Sequence, residues 1–176
     1  MPSPVSLTTS RTESLADIAN YQLDAEKSLR LYFSQDNPSF TAIFVGYPTS
    51  KVEAMLSAML SETDMRSGLI LMARIEAAFR VDYKERSKKK GADAVSVEFR
   101  KLWKKKGRHA RLEDEIWNIW SDIDPMTKQT ISQLKSVFKF RHWLAHGRYW
   151  NIGNKYDFNT LYLLACGVLD NFPLYD

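Results

Sequence analysis

The sequence predicts an all-α protein, an up-and-down bundle of four to six helices. Three observations lead there. Glycine and proline are scarce, seven and six in 176 residues, and fall mostly between periodic segments. Within those segments apolar residues recur every three or four positions, the period of a helix face. Several segment ends carry residues that start or stop helices. Residues 14–176 form one expected domain, with a basic insertion at about 84–111 and a flexible segment over 1–13.

The first helix is expected from about Ser14, a cap, to Phe33, with Leu15, Ile18, Leu23, Leu29 and Phe33 as its apolar face. "SQDNPSF" is turn-rich, and residues 42–47 have no assigned structure. Ser50 with Glu53 has capping-box spacing and predicts a second helix, with Val52, Met55, Leu56 and Met59 on one side. The methionines read as core filler. Asp64 is expected to cap the next and longest helix, with Leu69, Met72, Ile75 and Phe79 in its buried stripe. Residues 93–106 and 111–121 read as two further helices broken at Gly107. Asp124 and Pro125 then start a helix that runs to His146, with Gly147 as its stop. A last helix is expected over about 158–171, on Leu161, Leu164, Ala165, Val168 and Leu169.

Charge is uneven along the chain. Residues 84–111 hold twelve Lys or Arg against three acidic residues, a local +9, so the net +4 leaves −5 elsewhere. Lys88, Lys89, Lys90 and Lys104, Lys105, Lys106 are the densest clusters and suit phosphate contact; a solvated face is the competing reading. Trp103 beside them is a candidate for base stacking, although its spacing with Phe99 favours core packing. No apolar run has the length of a membrane span. "MPSPVSLTTSRTES" lacks a secretory apolar region, and the single cysteine, Cys166, has neither a disulfide partner nor a nearby metal-ligand partner. A cytoplasmic setting without cofactor or metal is therefore expected. Cys166 reads as packed core.

Two of the three histidines fall in "FRHWLAHGRYW", residues 140–150. Arg141 continues the stripe of Ile131, Leu134 and Phe138 towards Ala145, and a guanidinium there must be paired or line a cleft. His146 lies five residues on, about 140° around the helix axis, so the two side chains do not face each other on their own helix. Two copies of the helix facing each other would bring both pairs to one groove. The carbonyl end of the helix favours positive charge at His146, and the nearby arginines push the other way.

"RHWLAHG" resembles the R-x-x-x-x-H motif of HEPN domains, and the helical organisation resembles that family across most of the chain. The resemblance implies a four- to five-helix bundle that dimerises with its motifs juxtaposed. Many such proteins are metal-independent endoribonucleases in toxin–antitoxin, CRISPR or phage-defence systems; others are inactive interaction modules. By resemblance, Arg141 and His146 are the catalytic pair, and His142 is the auxiliary polar residue after the arginine. Some HEPN toxins carry a tyrosine two residues after the histidine, a target for nucleotidylation by a partner antitoxin; here that position is Arg148, with Tyr149 one later.

RNA supplies its own nucleophile, the 2′-hydroxyl, so an imidazole and a guanidinium suffice to leave 2′,3′-cyclic phosphate ends. The expected function is such an endoribonuclease, a homodimer with a composite site, restrained by an antitoxin or activating partner. The alternative is a non-catalytic HEPN-like interaction or RNA-binding module. Arg148 is a further candidate for RNA contact, with a solvated loop residue as the other reading. For Glu76, a pair with Arg80 at i+4 is favoured, and orientation of Arg141 is the alternative.

Overall fold

Ser14 begins the first helix as expected. Its hydroxyl accepts from the Asp17 backbone N–H while the Asp17 carboxylate accepts from the Ser14 N–H, a reciprocal cap that opens α1 (Leu15–Tyr32). The computed structural model describes residues 13–153 and 155–175. The expected flexible segment thus lies outside the described residues except for Glu13. Among those described there are helices and no strands: α1, α2 (Phe40–Ile43), α3 (Thr49–Lys88), α4 (Ala94–Lys106), α5 (Trp117–Ile123), α6 (Lys128–Ala145) and α7 (Phe158–Asn171). The protein is an all-α helical bundle. The count passes six because α2 is a single turn and α5 a short helix.

One difference reorganises the first half. The two helices expected to start at Ser50 and Asp64 are one continuous helix, α3, of 40 residues and about 60 Å. Pro48 precedes it without a side-chain cap, and Ser50 lies inside it. No glycine or proline interrupts "SETDMR", so nothing forces a break. Asp64 is engaged sideways instead: its Oδ1 accepts from Gln22 Nε2 of α1, whose Oε1 accepts from Ser67 at 2.6 Å. Gln22 is therefore a satisfied buried polar residue, while Leu23, expected on that face, is exposed. Met55 and Met59 are exposed rather than core. Only a small cluster of Phe33, Phe44 and Val52 packs at that end of α3, leaving the methionine face uncovered.

The main core surrounds the other end of α3. Leu71, Met72, Ile75, Phe79 and Tyr83 meet Phe99 of α4, Trp117 and Trp120 of α5, Leu134 and Phe138 of α6, and Leu161 and Val168 of α7. Gly68 permits the close approach of α7, since a Cβ there would lie 2.6 Å from Leu161 Cδ1. Asp93 caps α4 and Gly107 ends it with positive φ. A 3₁₀ turn and one π-helical turn, Leu112–Ile116, lead into α5. Within the basic segment α4 buries Val95 and Phe99, while Lys88–Lys90 and Lys104–Lys106 stay exposed. Trp103 is partly buried, 5.4 Å from the Tyr83 ring, which favours packing over a free stacking face. Cys166 is half-buried rather than fully packed. No described helix is long and apolar enough to cross a membrane.

Candidate functional site

Asp124 accepts from the Met126 N–H, a 3₁₀ turn begins at Pro125, and α6 follows. Its buried side chains are Ile131, Leu134, Val137, Phe138, Phe140, Trp143 and Leu144. The stripe drifts towards Phe140 and Trp143, so Ala145 is exposed and Arg141 falls on the boundary of the core. The helix closes at His146. Gly147 takes φ 84° and the Arg148 N–H donates to the Trp143 carbonyl at 3.1 Å, closing a Schellman turn.

Arg141 reaches across to α3. Its Nη2 donates to Glu76 Oε2 at 3.0 Å, and Glu76 Oε1 accepts from Arg80 Nε at 2.8 Å. Glu76 thus pairs with Arg80 and with Arg141 at once, one carboxylate oxygen to each. The Arg141 side chain is 28% exposed, yet its Nε is buried and has no acceptor among the described residues. An unmet buried donor costs about 1–3 kcal/mol. The Arg141 guanidinium carbon lies 5.9 Å from the Phe138 ring centre.

These groups line a cleft of about 300 Å³ between α3, α6 and the π-helical turn. Its charged or polar walls are Glu76, Arg80, Arg111, Glu113, Asp114, Arg141 and His142, with Leu112 and Phe138 as apolar lining. His142 Nε2 stands 3.6 Å from Glu113 Oε1, an ion-pair distance when the imidazole is protonated. Arg111 Nη1 is 3.2 Å from Asp114 Oδ2. Larger hollows of about 630 Å³ between α6 and α7 and about 610 Å³ between α1 and α3 contain none of the predicted site residues.

His146 does not line the cleft. It is exposed, its imidazole makes no hydrogen bond among the described residues, and its ring centre lies 6.4 Å from that of His142, one helical turn back. One chain therefore brings Arg141, His142 and Glu76 together and leaves His146 outside. Lys104, Lys105 and Lys106 form the last turn of α4, just before the loop whose Ala110 carbonyl accepts from Arg80 at 3.4 Å. Lys88, the last residue of α3, lies about 18 Å beyond Glu76 along the helix, and Lys89 and Lys90 follow just past its end.

Arg148 is committed elsewhere. Its guanidinium holds Glu62 of α3 with two bonds, at 2.6 and 3.0 Å. The bond from Arg148 lowers the Glu62 carboxyl below its ordinary pKa, and the same bond raises that of Arg148. Sequence reasoning missed this clamp, since its partners are 86 residues apart. It also missed the loop beyond, where Tyr149 is 81% exposed. Among the described residues no group of three or more His, Cys, Asp or Glu is placed to hold a metal. Comparison with protein-family models, curated proteins and solved structures finds no match.

Proposed function

We propose that the protein is a metal-independent endoribonuclease of HEPN type, acting as a homodimer in host defence or as a toxin under the control of a second factor. The observation that carries this reading is the split between the two motif residues. Arg141 is anchored by Glu76 at the rim of a cleft with its side chain 28% exposed, while His146 stands exposed on the same helix end beside small Ala145. A second copy packed on this end completes the site, because Ala145 leaves room for close helix approach.

The chemistry is a transesterification. The ribose 2′-oxygen forms a bond to phosphorus, and the bond from phosphorus to the 5′-oxygen breaks. One copy's His146 accepts the 2′-hydroxyl proton, and the other copy's His146 delivers a proton to the leaving 5′-oxygen. Arg141 holds the non-bridging oxygens as their charge grows. Glu76 fixes its guanidinium from behind, and His142 adds a contact at the phosphate. Purified protein incubated with total RNA and EDTA is expected to yield 2′,3′-cyclic phosphate ends that vanish in His146→Ala.

One observation favours a second reading, a non-catalytic dimeric interaction module. The cleft's cations already face carboxylates: Arg141 and Arg80 face Glu76, Arg111 faces Asp114, and His142 faces Glu113. Such paired charge suits a protein contact as well as a phosphate. Dimer formation with no new RNA ends in the same incubation selects this reading.

A further inference from the structure

The loop after α6 is pinned at its backbone and open at its side chains. Gly147 and Arg148 are two successive residues with positive φ, 84° and 60°. For arginine this conformation is strained by about 1 kcal/mol and persists only where neighbours enforce it. Three contacts do so here. The Arg148 N–H is tied to the Trp143 carbonyl, its guanidinium grips Glu62, and the Trp143 indole N–H donates to the Trp150 carbonyl at 2.7 Å.

The product of that strain is an aromatic ring held out into solvent. Tyr149 sits between these anchors, and Trp150, 37% exposed, meets it edge-to-face at 4.6 Å. Two cations lie in the same region of the chain. Arg148, itself paired with Glu62, and Lys155 lie over the Trp143 ring at 5.7 and 5.5 Å. A single exposed aromatic needs no explanation. A strained, triply anchored turn that presents one beside positive charge has the composition of a stacking site for single-stranded nucleic acid.

We propose that Tyr149, backed by Trp150, is a stacking platform for an unpaired base of the RNA strand that enters the Arg141 cleft. The substrate is then single-stranded RNA or a loop, because bases inside a duplex present no free face. Since the anchors already fix the turn, little further ordering is lost when a base docks. This assignment rests on the ribonuclease reading, and it names the substrate class and a binding residue for that site.

The test uses the full chain carrying His146→Ala, so that RNA stays intact, and titrates a fluorescent single-stranded 12-mer and a blunt duplex of twelve base pairs. The parent is expected to prefer the single strand. Adding Tyr149→Ala is expected to weaken single-strand binding about 5- to 100-fold and leave duplex binding unchanged. Tyr149→Phe is expected to bind as the parent does, since stacking needs only the ring. Equal single-strand affinity for parent and Tyr149→Ala overturns the platform, as does failure of the parent to bind the single strand. In the His146-intact protein, cleavage whose KM ignores Tyr149→Ala also overturns it and leaves the ribonuclease reading standing. Tyr149-dependent binding without cleavage does the reverse.

Discussion

Arg86 and Arg141 both extend from long helices to carboxylates, and their surroundings could hardly differ more. Arg86 is 6% exposed. It donates to Asp82 at 2.7 Å, to Asp93 at 3.0 Å, to Ser96 and to the Pro173 carbonyl, and lies over the Trp120 and Tyr175 rings. Each nitrogen of its fork is used. It fastens the segment after α7 to the end of α3, where the Tyr175 N–H also donates to Asp82. Arg141 has one carboxylate, a buried donor without an acceptor, and an open cleft in front of it. A guanidinium consumed by its own fold can only stabilise. One at the rim of a cleft, partly open to solvent, still has a face to offer to something that arrives.

The widest separation between them is expected in RNA cleavage. Arg141→Ala and His146→Ala should each lower the rate about 10²- to 10⁴-fold in an end-mapping assay. A conservative Arg86→Lys that remains folded should leave the rate within a factor of a few. Stability should rank the two arginines the other way. Arg86→Met strands Asp82 in the core and should cost about 3–5 kcal/mol in urea unfolding. Arg141→Met, at the rim, should cost about 1 kcal/mol or less, and equal losses would erase the distinction.

Glu76→Gln exchanges a charged acceptor for a neutral one behind Arg141. About fivefold lower cleavage is expected, and no change at all would remove Glu76 from the site. Gly147→Ala has free space around the new methyl but must hold φ at 84°, so a loss of about 1 kcal/mol is expected in the same unfolding experiment. The smallest effect is in acid. Glu62 has a lowered pKa in the folded protein, so its contribution is complete above its ordinary value of 4.5 and is lost as pH falls through the lowered one. The stability gap between wild type and Glu62→Gln should be constant near neutrality and close in acid. Asp82, raised chiefly by burial against the Tyr175 N–H, Arg86 and Trp120, changes in the opposite sense and cancels in that difference.

What could be read from the chain divides along local and distant interactions. Ser14, Asp93, Asp124, Gly107 and Gly147 act on neighbours a few residues away, and the starts or ends they mark stand in the structure. Ser50 and Asp64 carry the same chemistry, yet neither caps a helix; Asp64 is instead taken up by Gln22, 42 residues earlier. Cap-forming residues mark a terminus only when no tertiary partner claims the side chain. The motif on α6 was legible as spacing, and its Arg141 does line a cleft. The Glu113 and Asp114 wall opposite was not, because the chain's fold alone brings it there. Met55 and Met59 mislead for a related reason: periodicity shows which residues share a face, while coverage of that face depends on what else packs nearby.

The unbroken run of α3 acts as a caliper. Glu62, which secures the turn bearing Tyr149, and Glu76, which secures Arg141, stand fourteen positions apart on one shaft, a rise of about 21 Å. With no joint between them the gauge cannot open or shut. Arg141 and Arg148, seven positions apart at the end of α6, are clasped at two fixed points of one rigid rod, so in the proposed ribonuclease the cleft and the Tyr149 turn would keep a constant separation while RNA binds.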